Sequence, residues 1–378
     1  MADDTRIMLP QGLDRLIEVL EGRGYAVVAP TVRTGAVSLA EVHGADDLPW
    51  GVGDEQEAGR YRLTERDDGK VFAQAAAAPG MKATLFPPDE LIWRGRRSGS
   101  QFEVTDTGVD HVRPTAFLGV RGCDLRALAQ HDRVLAGRAF PDARYVRRRE
   151  GAFIAAVTCT DPGGTCFCTS MGGGPHPESD YDLALTELSD PHRFVVEVGT
   201  DLGAEVLAEV DTVPATADDE AAVTTAVAEA TMRMGRTMDT DGLRDLLYAA
   251  AESPVWDDVG NRCLTCMNCT MVCPTCFCTT VQDVSVLGSA DAERRRVWDS
   301  CFSEEFAHIH GGSLRTEVRS RYRQWLTHKL AAWQDQFDAL GCVGCGRCIT
   351  WCPVGIDLTA EVAKIRASAG IPVAGGMR

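Results

Sequence analysis

No stretch of this 378-residue chain approaches 18 consecutive apolar residues, which argues against a helical membrane span. The opening residues, MADDTRIMLP, lack an apolar core behind a basic start, so no signal peptide is read there. Nucleotide-binding signatures are missing too. No GxGxxG follows a strand-like run, MGGGP (residues 171–175) has no helix pattern behind it, and no Walker A motif occurs. The eight histidines are scattered; His308 and His310 are neighbours, without a metalloprotease context. Basic charge is scarce, with 38 Lys and Arg against 55 Asp and Glu. The resulting net charge of −17 argues against nucleic-acid binding; it keeps the protein soluble and could steer it to basic surfaces. Apolar (44%) and charged (25%) fractions are those of a soluble globular protein, and the length suits two or three domains.

Cysteine is in excess. Secreted disulfide scaffolds are short, and 15 cysteines cannot all pair. In a chain of this length the thiols read as metal ligands in a reducing compartment, and a cytoplasmic location is expected. Eight of them form two matching motifs, CLTCMNCTMVCP from Cys263 to Pro274 and CVGCGRCITWCP from Cys342 to Pro353. Both have the spacing C-x2-C-x2-C-x3-C-P of two-cluster ferredoxins. Three thiolates two residues apart wrap three corners of an iron–sulfur cube. The fourth lies one helical turn on, points away and ligates the partner cluster, and the proline then turns the chain. The expected ligand sets are Cys263, Cys266, Cys269 and Cys352 for one 4Fe–4S cluster and Cys342, Cys345, Cys348 and Cys273 for the other. Zinc sites usually come as two C-x2-C pairs, a weaker match.

Seven cysteines remain. The pentapeptide TCFCT occurs twice, at Thr165–Thr169 and Thr275–Thr279. Cys123 and Cys159 each follow a strand-like run. If those strands are adjacent and parallel, Cys123, Cys159, Cys166 and Cys168 meet at the carboxyl edge of a sheet, where α/β folds bind ligands. They form a candidate set for a third cluster; the alternative is that Cys123 and Cys159 are small buried hydrophobes. Cys276, Cys278 and Cys301 lack a fourth cysteine and read as thiols shielding the first cluster, with a catalytic thiol or an unusual cluster as the sharper reading. The basic groups Arg147–Arg149, Arg294–Arg296 and Arg319–Arg323 read mostly as solvated faces, with tuning of cluster potentials as a second role.

Along the chain, Leu13, Leu16, Ile17 and Leu20 mark a helix over Gln11–Arg23. Strands are expected at Tyr25–Ala29 and Ala36–Val42, a loop with one strand at Asp46–Lys70, and a short helix starting over Asp89–Trp93. Thr115–Val120, Asp124–Leu135 and Gly151–Val157 read as strand, helix and strand, a parallel crossover. A strand at Arg193–Val198 and a helix near Leu202–Glu209 follow, and Asp211–Glu220 reads as a linker. Helices are expected at Ala221–Met234, Asp241–Ala251, Ser320–Phe337 and Leu358–Ala367, and a loose tail from Ala369 to Arg378. With 68 residues between Cys273 and Cys342, the fold class is α+β: an α/β domain over 1–212 and an α-helical ferredoxin domain over 221–368.

The segments LFPPDE, GVRGCDL, CTDPGGTCFCTSMGGGP, CLTCMNCTMVCPTCFCT, VWDSCF, HKL and GCVGCGRCITWCPVGID extend from Leu85 to Asp357. In them the chain resembles the iron–sulfur beta subunit of cytosolic nickel–iron hydrogenases (sulfhydrogenases) and the related A subunit of anaerobic sulfite reductase. The resemblance implies an electron-transfer subunit. It would sit between nickel–iron hydrogenase subunits and a flavin-bearing subunit that handles NAD(P), with no catalytic residue of its own. Two other readings stay open: delivery of electrons to a sirohaem protein, and a reductase acting on a disulfide or sulfur substrate near Cys276, Cys278 and Cys301.

Overall fold

The computed structural model describes residues 5–106, 113–137, 139–285 and 287–370. An eight-stranded sheet runs, edge to edge, through Thr212–Pro214, Arg6–Met8, His192–Val198, Leu183–Ser189, Ala152–Val157, Thr115–Val120, Ala26–Arg33 and Ala36–Glu41. The four strands from Leu183–Ser189 to Ala26–Arg33 are parallel and the outer ones antiparallel. Thr115–Val120 and Ala152–Val157 are buried from their second residue on, as strands covered on both faces must be. One face packs Leu13, Leu16, Ile17 and Leu20 of helix Gly12–Gly22; the other packs Phe86, Leu125, Leu128 and Tyr145.

The expected crossover is present: Val120 aligns with Ala156 in the parallel pair, and helix Gly122–His131 connects the two strands. The guanidinium of Arg121, at the end of the first strand, donates to the carbonyls of Thr158 (3.1 Å), Phe72 (2.7 Å) and Gln74 (2.8 Å). It closes the carboxyl edge where Cys123 and Cys159 emerge.

Three readings are corrected. Asp89–Ser98 is a strand, because its partner is Asp291–Trp298, some 200 residues on and invisible to a local window. These two are the middle strands of a second, antiparallel sheet, with Gln101–Asp106 and Thr279–Ser285 at its edges. Residues on both sides of the expected domain division thus share one sheet. Asp46–Lys70 holds two strands, Val52–Glu57 and Arg60–Glu65, paired as a hairpin. Within Asp211–Glu220, Thr212–Pro214 joins the large sheet and Thr216 with Asp219 forms a capping box that starts helix Ala217–Met232. In the expected tail, residues 371–378 lie outside the described residues.

The C-terminal part is largely helical. Val318–Thr327, a π-helical turn His328–Ala332 and Trp333–Phe337 form one continuous rod where a single helix was expected. With helices Leu243–Ala249, Val255–Arg262 and Leu358–Ser368 it builds a core of Trp256, Tyr322, Trp325, Leu326 and Leu330. No helix of the described residues is long and apolar enough to cross a membrane.

Candidate metal centres

The two cysteine motifs fold alike. Each places the residue before its second cysteine and the residue after it in the left-handed region: Thr265 (φ +51°) and Met267 (φ +68°) in the first, Gly344 (φ +70°) and Gly346 (φ +73°) in the second. Each then forms one helical turn, Asn268–Met271 or Arg347–Thr350, before Cys-Pro. The curled backbone aims amides at sulfur. Thr265 N–H lies 3.4 Å from Cys263 Sγ, Gly344 N–H 3.5 Å from Cys342 Sγ, and Ile356 N–H 3.3 Å from Cys352 Sγ.

The loops enclose two apolar cavities. Cys263, Cys266, Cys269 and Cys352 line the outer one, with Phe302 and Tyr322. Cys342, Cys345, Cys348 and Cys273 line the inner one, with Phe167 and Leu326. Cys348, Trp325 and Leu358 line both, so one layer of side chains separates the two spaces. Cys266 is exposed and Cys273 is buried, which puts the first cavity nearer the surface.

Among the described residues, no three or more His, Cys, Asp or Glu could hold a single metal ion. Four thiolates on zinc stand roughly 3.8 Å apart, given a Zn–S bond near 2.3 Å. Cysteines spread around a cavity suit an inorganic core with a volume of its own. Burial raises the thiols of Cys269 and Cys348, and that of Cys342 to about 12. As ligands such groups would be held as thiolates by the positive charge of a bound metal centre.

Cys123, Cys159, Cys166 and Cys168 are gathered beside the inner cavity. Burial is the main cause of the raised thiol pKa of each. Cys166 and Cys168 both feel Cys159 and Cys345, and Cys123 feels Cys345 and Cys168. The loop around Thr165–Thr169 lies directly on the second motif: Phe167 N–H donates to Gly344 O (2.8 Å), and Cys166 Sγ lies 3.8 Å from Cys345 O. Cys276 hydrogen-bonds Cys273, and Cys278 hydrogen-bonds Cys301.

Sequence reading missed the buried cations. Lys329 Nζ lies 3.2 Å from Cys273 Sγ and 2.9 Å from Thr275 Oγ1. Burial opposes its charge, but Cys273 and Cys276 outweigh that and hold its pKa well above the ordinary lysine value. Lys82 donates to the carbonyls of Thr270 (3.4 Å) and Met271 (3.1 Å) and sits over the Trp298 ring; burial lowers its pKa. Arg347 pairs with Asp124 at 2.6 Å, both sealed from solvent. Arg321, expected on a solvated face, is buried and donates to Phe302 O and Thr316 O, while Arg319 and Arg323 remain partly exposed. One signal was available: Lys329 follows Trp325 by four residues and Leu326 by three, a charge on the apolar side of its helix.

A family model for a 4Fe-4S dicluster domain matches residues 262–356, which contain all eight cysteines of the two motifs. No solved structure matches. Sulfhydrogenase 2 subunit beta of Pyrococcus furiosus is 31% identical over 287 residues, 75% of this chain and 84% of that protein. A dicluster domain and a relationship over that share of both sequences establish that the chain belongs to the family of sulfhydrogenase beta subunits, iron–sulfur proteins whose general role is electron relay.

Proposed function

We propose that the chain holds two 4Fe–4S clusters with crossed fourth ligands and relays single electrons between nickel–iron hydrogenase subunits and a flavin- and NAD(P)-binding subunit in the cytoplasm. The observation that carries this reading is the pair of cysteine-lined cavities sharing Cys348, Trp325 and Leu358 as a wall. A bound 4Fe–4S cluster supplies one-electron chemistry. The chain's own residues hold the sulfurs, exclude water with Trp325, Tyr322 and Phe302, and donate amides to the thiolates. None of this requires a catalytic acid, base or nucleophile. The partner assignment draws on the name of the relative, a sulfhydrogenase subunit.

A third cluster on Cys123, Cys159, Cys166 and Cys168 extends the proposal. The contact of their loop with Gly344 and Cys345 supports it, since a centre there would stand next in line to the inner one. Anaerobically loaded full-length protein should then contain about twelve iron atoms per chain, against about eight with two clusters. Replacing both Cys166 and Cys168 by Ser should remove about four of them. For the crossed ligands, Cys273→Ser and Cys348→Ser should abolish the same paramagnetic centre, and Cys352→Ser the other. Loss of different centres in Cys273→Ser and Cys348→Ser would refute the crossing. In the purified complex, hydrogen-dependent NAD(P) reduction should fall in Cys348→Ser, while hydrogenase assays with an artificial dye are retained.

One observation favours reductase chemistry on a disulfide or sulfur substrate as the second reading. The hydrogen bond from Cys301 brings the Cys278 thiol down to about 7, against the cost of burial, so a nucleophilic sulfur stands beside Cys301 and Lys329. A cluster signal that responds to such a substrate in the isolated subunit would favour it over the relay. Delivery of electrons to a sirohaem protein uses the same relay with a different acceptor.

A further inference from the structure

Among the described residues, Lys329 pairs with no carboxylate, although its side chain is almost completely buried. Its ammonium donates to a sulfur and a hydroxyl: Cys273 Sγ at 3.2 Å and Thr275 Oγ1 at 2.9 Å. The Thr275 hydroxyl donates to Gly341 O (2.8 Å), which fixes its oxygen as an acceptor toward the lysine. The backbone is shaped for this. Residues His328–Ala332 make a π-helical turn inside an α-helical rod, a distortion that costs regular hydrogen bonds and recurs at functional sites. Gly341 N–H anchors that turn on Lys329 O at 2.7 Å.

The other cations nearby are engaged differently. Arg347, in the second motif, hydrogen-bonds Cys345 but is matched by Asp124. Lys82 also acts on Cys273, but its ammonium donates to two main-chain carbonyls and sits over the Trp298 ring. Beside the outer set, Arg321 is held by the carbonyls of Phe302 and Thr316. Among the described residues, Lys329 is therefore the cation that lacks a carboxylate partner and hydrogen-bonds a ligand sulfur directly, and the surrounding Trp325, Leu326 and Leu330 give it a medium that screens charge poorly.

We propose that Lys329 raises the reduction potential of the inner centre selectively and so makes it the electron-holding member of the pair. Reduction adds one negative charge to the centre. A fixed cation at one of its ligands stabilises that extra charge and acts less on the outer centre across the intervening side chains. Lys329 is a positioning residue here, acting through the Cys273 sulfur. The proposal rests on the ligand sets proposed above.

The test is a redox titration of the loaded full-length protein followed by electron paramagnetic resonance, comparing wild type with Lys329→Met, Lys329→Gln and Lys329→Arg. In Met and Gln the inner centre, identified as the one lost in Cys273→Ser, should become at least tenfold harder to reduce. For a one-electron step that is 59 mV. The outer centre should shift much less, the iron content should stay at the wild-type value, and Arg should restore most of the shift. Equal shifts of both centres, or none, would overturn the proposal. Loss of iron from the inner centre in all three variants would also overturn it and assign Lys329 to assembly. Failure of the ligand reading looks different: Cys273→Ser and Cys348→Ser would then remove different centres, whatever Lys329 does.

Discussion

Cys278 shows how far a single thiol can be moved by its neighbours. The Cys301 thiol donates to it and Lys329 adds positive charge, and together they overcome burial and bring it to about 7; Cys301, the donor, is pushed far up. Below pH 7 Cys278 is then mostly a thiol and unreactive, and above it a thiolate. Its anaerobic alkylation rate in the loaded protein, followed by peptide mass spectrometry, should rise through about pH 7 and level off. In Cys301→Ala the midpoint should move up toward the ordinary cysteine value near 8.5. An unchanged midpoint would mean that Cys301 does not set it. At this scale the sequence was legible where residues are related by spacing within a few positions, as in the eight motif cysteines, which line two cavities. It marked Lys329 only as a charge on an apolar helix side and was silent about Arg347, because their partners lie 50 or more residues away: Cys273 in one case, Asp124 in the other.

The two motifs differ in how their shared backbone is filled, and the difference follows from what packs on each. A Cβ on Gly346 would come within 2.4 Å of Thr165 Oγ1, and one on Gly344 within 2.6 Å of Phe167 O. Thr265 and Met267 hold the same left-handed conformation with side chains, and Met267 is partly exposed. The glycines of the second motif thus serve close approach as well as φ. Gly346→Ala should cost roughly 1–3 kcal/mol through overpacking and loosen the inner centre. Met267→Gly should leave the outer centre in place. Iron content and the two paramagnetic signals, measured side by side, check both; retention of the inner signal in Gly346→Ala at wild-type stability would contradict the packing account. Elements with strong local periodicity, such as Gly12–Gly22 and the Thr115–Val157 crossover, were legible from the order of their residues alone. Asp89–Ser98 was not, because a strand whose partner lies across the chain carries only weak local signal.

Across the whole molecule, the ferredoxin-like part is sewn to the N-terminal part by buried polar contacts. Arg347 with Asp124, Thr350 with Thr165 (2.7 Å) and with Gln56 (2.9 Å), and Lys82 with Thr270 and Met271 all cross between them. Arg347→Met strands a buried carboxylate and should destabilise the loaded protein by about 3–5 kcal/mol. Adding Asp124→Asn should recover part of that loss, since no charge is then left unpaired; the denaturant midpoints of the two variants decide it, and equal midpoints would sink the idea. The expected division at 212–221 lies where helices follow the last strand of the large sheet. It did not foresee a sheet built from residues 89–106 and 279–298, since nothing local marks such pairing. The Thr165–Cys168 loop pressed onto Gly344 and Gly346 also makes the N-terminal half a cover over the inner cysteines. On the ligand sets proposed above, iron would have to pass that cover to enter or leave the inner centre, so exchange should be slower there than at the outer centre, where Cys266 is exposed.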